Sequence, residues 1–383
     1  MSETITYTTR PRKVLPDRIR GFANFPTDLP DERRLLGEGW LRRGDIATFI
    51  STAGAGKSVG MCQAAMAWGL GLPYFGIAPA RPLRITMFSG EDDDFTIGQC
   101  REGLIEHAVE VTGREITRAE VDDLDDRLVT DFQRTHTGMC FHKHLAEALV
   151  DHESDLVIIN PLLSYIGGEI VAEASQWLRA GLMPLLKEFD CAAIVCSHTN
   201  KMQKDSWNNT LDAYSGIGGS EMANVPRSVL TLRPTKCENI HVLKSAKRTS
   251  TGWKDDRGLP SNAYYVKRTA RADRPAWLPV THAEAREAQE KVASESGPQK
   301  KATREDVLQI LEEGAMSRQG LIEALREQCG CGMGKAVEAI AEARRDLHAW
   351  EKQSEGRGRP QVWFCLPKDA AEHDPEALPL GGI

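Results

Sequence analysis

The sequence predicts an α/β protein: a doubly wound, mainly parallel sheet followed by a small second domain of helices and a hairpin. Three observations predict it. Between Gly37 and about Pro279, short apolar runs alternate with helical patterns, as successive βαβ units require. One of these runs, Ile46 to Ile50, empties into Ser51-Thr-Ala-Gly-Ala-Gly56, then Lys57-Ser58, then a helical pattern over Val59–Leu70. That is the strand–loop–helix setting of a phosphate-cradling loop. Beyond a polar stretch at about residues 286–301, three helical segments and a short hairpin follow.

The strands are read at Asp45–Ile50, Leu83–Ser89, Leu156–Asn160, Ala192–Ser197, Ser228–Leu232 and Ile240–Ser245. Helices lie between the early ones, at Val59–Leu70, Ile97–Val109, His142–Val150 and Ala174–Phe189. The later strands follow each other without helices, so that edge of the sheet can be antiparallel. In such a sheet the ligand sits at the carboxyl ends of the strands. The division read from the chain is an N-terminal arm (1–35), a core (36–285), a linker (286–301), a small domain (302–367) and a tail (368–383). The small domain places helices at Thr303–Glu313, Ser317–Gln328 and Met333–Leu347, with Ser317 as an N-cap. A hairpin with a basic tip completes it, and the whole resembles a winged helix.

Composition narrows the class. The chain has 383 residues, 41% hydrophobic and 27% charged, enough apolar content for a substantial core. Its net charge of −7 excludes a globally cationic nucleic-acid binder, so any such contact must come from local basic patches. Nine scattered cysteines form neither a CxxC pair nor a zinc spacing, and read as thiols of a reducing compartment. The first residues lack a leader pattern, and no apolar run is long enough for a bilayer. The expectation is a cytoplasmic protein without a membrane partner.

In the glycine-rich loop, Thr52, Ala53, Gly54, Ala55, Gly56, Lys57, Ser58 and Val59 form the nucleotide-binding run. Its backbone N–H groups make an anion nest at a helix N-terminus. Lys57 reaches the terminal phosphates of ATP and the Ser58 hydroxyl ligates Mg²⁺. Ser51 stands where glycine usually opens the motif. The next strand ends in Gly90-Glu91-Asp92-Asp93-Asp94, and Glu91 is read as the carboxylate polarising the attacking water, on a strand placed beside that of the phosphate loop. Leu156-Val-Ile-Ile159 has the form of a metal-site strand, but it ends in Asn160, which brings no charge. Weakened Mg²⁺ binding and slow turnover are expected. His198 follows the next strand and is placed near the γ-phosphate, whereas His142 and His144 read as surface residues. Lys201, Lys204 and Trp207 lie in a polar, glycine-rich stretch suited to gripping single-stranded DNA. Lys247 and Arg248 are read at a hairpin tip, from which they could project into a neighbour's nucleotide.

The order of these segments is itself specific. Tyr74-Phe-Gly-Ile77 and Arg81-Pro-Leu83 precede Glu91-Asp-Asp. Asn160-Pro-Leu162, Tyr165, Gly167 and Gly168 come next, then His198-Thr-Asn-Lys201. Tyr214, Gly216, Gly219-Ser220, Asn224 and Arg227 follow, and Ala246-Lys-Arg248 with Gly252-Trp253 closes the series. Over residues 36–268 the chain resembles the RepA-like, AAA-type ATPases of the RecA superfamily, carried by plasmids, phages and mobile elements and related to ring-shaped replicative helicases. The resemblance implies a RecA-like P-loop NTPase core, a homohexameric ring with ATP at subunit interfaces, single-stranded DNA in the channel, and other replication proteins as partners. It implies Glu91 as the catalytic carboxylate, Asn160 at the metal-shell position and His198 as γ-phosphate sensor. Lys247 and Arg248 become cations acting in trans, with Arg227 a second interfacial arginine. Ser51, Asn160 and Ser197 depart from the family pattern.

Two further classes stay open: a non-motor, ATP-switched DNA-binding or regulatory assembly protein, and a filament-forming recombination mediator. In the small domain, Lys335, Arg344 and Arg345 on the presumed recognition helix and Lys352, Arg357 and Arg359 on the wing are read as phosphate contacts.

Overall fold

The strands that could be read most directly are those buried on both faces. In the computed structural model, which describes residues 30–132, 135–167, 170–199, 224–237, 239–295, 301–352 and 361–374, Leu156–Asn160 is buried throughout. Ile158 packs into one hydrophobic cluster with Ile85, Met87 and Ile194. Val157 and Ile159 pack into another with Phe88, Val195 and Leu145. Alternate side chains thus serve cores on opposite faces of one sheet, which is why the segment is continuously apolar and not alternating. Each such aliphatic contributes about 1.5–3 kcal/mol by burial.

The chain divides into two units, Met1–Gln289 and Glu290–Ile383. The first opens with a small pair, β1 (Arg34–Leu36) and β2 (Leu41–Arg42). Its main sheet has nine strands: β3 (Ile46–Ser51), β4 (Ile85–Ser89), β5 (Leu128–Asp131), β6 (Leu156–Asn160), β7 (Ala192–His198), β8 (Ser228–Pro234), β9 (Ile240–Lys247), β10 (Ala263–Arg268) and β11 (Trp277–Val280). Their order is β11-β10-β9-β8-β3-β7-β6-β4-β5. Strands β8 through β5 in that order pair in parallel, while β9, β10 and β11 are antiparallel. The doubly wound, mainly parallel expectation holds, and so does the antiparallel edge.

Helices α1 (Lys57–Gly69), α2 (Asp94–Glu106), α3 (Ala108–Thr112), α4 (Arg118–Asp122), α5 (Gly138–His152), α6 (Ile170–Gln176) and α7 (Met183–Glu188) connect the parallel strands. The single helix expected at Ile97–Val109 is two, because the chain breaks at His107 between α2 and α3. The one expected at Ala174–Phe189 is interrupted by a π turn, Trp177–Leu182. That turn lies where α5 presses on it. A Cβ added at Gly181 would fall 2.0 Å from Cε1 of His142.

His142 is therefore buried, not a surface residue, and His144 is half-buried with Nε2 2.6 Å from Asp131 Oδ2. Burial pushes the His142 imidazole down to about 4. The unfolded chain then binds the extra proton between pH 6.5 and that value, so stability falls as pH drops through this window. About 2 kcal/mol of stability is expected to disappear between about pH 7 and pH 5 from this residue. Urea unfolding at the two pH values checks it: His142→Leu should remove that part of the difference.

The second unit carries the end of α8 (His282–Glu295), then α9 (Arg304–Leu311), β12 (Met316–Ser317), α10 (Arg318–Cys329), α11 (Met333–Ala343), β13 (His348–Lys352), β14 (Gln361–Cys365) and α12 (Ala370–His373). A three-stranded antiparallel sheet, β12-β14-β13, closes over a core of Leu311, Leu321, Leu325, Ile340 and Phe364. Thr303 and Asp306 cap α9 reciprocally, and Ser317 Oγ accepts the Gly320 N–H at 3.1 Å as the expected N-cap of α10. Helix α11 ends at Ala343, so Arg344 and Arg345 lie in the following 3₁₀ turn and not on the helix. Among the described residues no helix is long and apolar enough to cross a membrane.

Candidate nucleotide site

Parallel pairing in register brings four strand ends into one row. Ser51 of β3 lies beside His198 of β7, and Ser89 of β4 beside Asn160 of β6. The intervening pair β6 and β7 keeps the row continuous. One expectation fails here: β4 is not beside the phosphate-loop strand, because β7 and β6 stand between them. Glu91 nevertheless reaches the row, since the loop after β4 leads back toward His198, with Glu91 Oε2 4.0 Å from His198 Nε2.

The loop fits a polyphosphate. Gly54 and Gly56 have φ of 76° and 83°, in the left-handed region that glycine adopts freely. No atom comes within 4 Å of where a Gly54 Cβ would stand, so the concave side of the loop is open. Ser51, fully buried at the end of β3, needs no such freedom, and its departure from glycine is tolerated. Helix α1 starts at Lys57, directing its first N–H groups at the loop. Lys57 is buried and its Nζ donates to Asn160 Oδ1. Asn160 Nδ2 faces Ser58 Oγ at 3.0 Å and Asp92 Oδ2 at 3.2 Å. Asn160 thus donates toward Ser58, where the sequence suggests that it accepts. The residues present fit ATP with Mg²⁺: the loop and Lys57 would hold phosphates, and Ser58 with the Asn160–Asp92 pair would hold the metal. The metal would supply charge neutralisation on the phosphates.

His198 is held below its ordinary range, chiefly by burial and then by the Lys57 charge, against an opposing pull from Glu91. It is neutral at about pH 7 and able to accept or donate one hydrogen bond. Cys196, two residues earlier and fully buried, has its thiol pushed up to about 11 and is inert there. Eight of the nine cysteines are buried; Cys140 is exposed.

Two residues at the site escape the sequence reading. Asp92 is one. Trp277 is the other: its indole Nε1 donates to Gly56 O at 3.1 Å across 221 residues of chain. Its ring lies 3.0 Å from where a Gly56 Cβ would stand. Their signals are weak, one acid in a run of four and one tryptophan among eight.

The candidate cations lie elsewhere. Arg227 N donates to Ile46 O at 2.9 Å, and Lys247 pairs with Val229, so both mark the amino ends of the parallel strands. Lys247 Nζ donates to Pro226 O at 2.7 Å, and its ammonium is lowered by burial, then by Arg227 and Arg248. Lys247 and Arg248 are not at a hairpin tip. A long connection follows β9, pinned by Trp253, whose Nε1 donates to Phe75 O at 2.8 Å. Arg248 is tied to Asp45 through its guanidinium. Lys201, Lys204, Trp207, Arg357 and Arg359 lie outside the described residues. In the second unit Lys335 Nζ pairs with Glu338 at 2.5 Å, so the exposed face of α11 is charge-balanced there. Arg344 and Arg345 are exposed.

A family profile described as AAA domain matches residues 11–204, half of the chain. The chain belongs to this AAA domain family. No curated protein matches it. Among solved structures, a phage-type ring of comparison is not needed to place the fold: one solved ATPase domain is similar over 62% of this chain and 85% of its own, with 10% identity and a TM-score of 0.43. The RadB recombinase is similar over 59% of this chain and 88% of its own, with 11% identity and a TM-score of 0.38. The AAA domain here runs from the arm through the phosphate loop, β4, β6 and β7 to the segment after His198. It is a nucleotide-binding, ATPase-type domain.

Proposed function

We propose that this chain is an ATP-driven DNA translocase of the RepA-like replicative helicase type, acting as a closed ring, most simply a hexamer. ATP and Mg²⁺ bind at subunit interfaces and single-stranded DNA occupies the channel. One observation carries this reading. The phosphate loop, Glu91 and His198 gather at the carboxyl ends of the strands, whereas Arg227, Lys247 and Arg248 gather at the amino ends. A strand of six residues separates the two edges by about 20 Å. Those cations are therefore out of reach of their own nucleotide, and a head-to-tail neighbour is the natural recipient. Arg248, tied to Asp45, serves better as the brace, and Arg227, exposed, as the residue that crosses.

In this proposal Glu91 orients the attacking water, His198 senses the γ-phosphate, and Lys201, Lys204 and Trp207 contact DNA. The second unit is proposed as a winged helix, supported by its element order of helix, short strand, two helices and two strands. Its nucleic-acid face is better sought on the hairpin than on α11. Trp350 and Trp363 lie 6.3 Å apart there, with Lys352 4.9 Å from the Trp363 ring centre.

The test is ATP hydrolysis by the full chain with and without single-stranded DNA, alongside strand displacement and sedimentation. Hydrolysis stimulated by DNA, unwinding, and a particle several times the 42.4 kDa chain mass are expected. A persistent monomer with nucleotide and DNA together would overturn the reading. The neutral Asn160 favours a second one: a non-motor, ATP-switched DNA-binding assembly, which would bind DNA in an ATP-dependent way and displace no strand.

A further inference from the structure

The four acids after β4 do four different things. Asp93 caps α2, its Oδ1 accepting the Thr96 N–H at 2.8 Å. Asp94 accepts its neighbour Phe95's N–H at 2.9 Å. Glu91 is half-exposed and faces His198. Asp92 alone turns inward, where Ser89 Oγ donates to its Oδ2 at 2.7 Å and Asn160 Nδ2 approaches the same oxygen at 3.2 Å.

The Asn160 carboxamide is thereby fixed in orientation. Its oxygen accepts from the Lys57 ammonium and its nitrogen faces the Asp92 carboxylate. The flipped amide would set N–H against an ammonium and oxygen against a carboxylate, two repulsive contacts in place of two attractive ones. The same nitrogen reaches Ser58 Oγ at 3.0 Å, so one neutral group joins the phosphate-loop hydroxyl, the phosphate-loop lysine and an acid from the next strand. A carboxylate at position 160 would instead put its own charged oxygen against that of Asp92. Asparagine at 160 and an inward aspartate at 92 are thus electrostatically matched.

We infer that Asp92 supplies the negative charge of the Mg²⁺ shell that position 160 lacks, with Asn160 as the positioning residue that holds Asp92 beside Ser58. This rests on the proposed binding of ATP with Mg²⁺ at the loop. It changes what Asn160 means: the charge has moved by one strand and is not missing.

The experiment is equilibrium binding of a fluorescent ATP analogue to the full chain, in Mg²⁺ and in EDTA. Wild type should bind more tightly with Mg²⁺. Asp92→Asn should lose that Mg²⁺-dependent gain, about tenfold or more, while its affinity in EDTA stays within about twofold of wild type. The double variant Asp92→Asn/Asn160→Asp, which returns the charge to the strand end, should recover most of the gain. The inference is overturned if wild type shows no Mg²⁺ gain, if Asp92→Asn keeps it, if Asp92→Asn weakens EDTA binding equally, or if the double variant fails to recover it. Failure of wild type to bind the analogue in either buffer would instead remove the proposed function itself.

Discussion

Replacing Lys57 by alanine is expected to reduce ATP hydrolysis by about 100-fold or more, the loss typical of removing one preorganised group that stabilises developing charge. Lys57 opens α1, is buried, and its ammonium is held by a neutral carboxamide, so its charge is available to an incoming phosphate. Alanine also deletes a buried aliphatic stem, which by itself costs stability. Lys57→Met separates the two effects, because it keeps most of the stem and removes only the charge. Both variants should lose hydrolysis alike, while Met keeps a melting temperature near wild type. Steady-state phosphate release and thermal unfolding measure the two quantities. A Met variant retaining most of the activity would move the site away from this loop.

What could be read beforehand follows from how much of the decision is local. β3, β4, β6 and β7 are buried runs bounded by turn residues, and their chemistry sits at their ends, so Lys57, Ser58, Asn160 and His198 are legible from single segments. β5 is half-buried and four residues long, and β11 carries Pro279, so neither has a pattern that separates it from a loop. Strand order is a property of the whole sheet. That is why the sequence assigns Glu91 to a strand beside β3, when two strands intervene. Asp92 is hidden for a related reason. Four consecutive acids look alike in sequence, and only the packing of Ser89 and Asn160 selects which one turns inward.

A single methyl group at Gly103 is expected to damage both the fold and the site. Gly103 lies in α2, and a Cβ there would stand 2.1 Å from Pro275 O, a backbone atom that cannot rotate aside. That carbonyl is already held, accepting from Gln63 Nε2 at 2.7 Å, while the same amide donates to Cys100 O at 2.8 Å. Tyr74 completes the set by donating its hydroxyl to Gln63 Oε1 at 2.6 Å. All of these groups are buried, so pushing Pro275 away leaves donors and acceptors without water to replace their partners. Overpacking of this kind costs about 3 kcal/mol, and Gly103→Ala should lower the melting temperature by about 6–10 °C. The displacement has a direction. Pro275 is two residues from Trp277, whose indole holds the Gly56 carbonyl under the phosphate loop. Gly103→Ala should therefore weaken nucleotide binding well below the unfolding temperature, whereas Gly98→Ala, on the same helix with nothing within 4 Å of its Cβ, should leave both quantities unchanged. Melting curves and analogue titrations of the two variants side by side decide it: equal behaviour would mean that the edge strand does not support the loop.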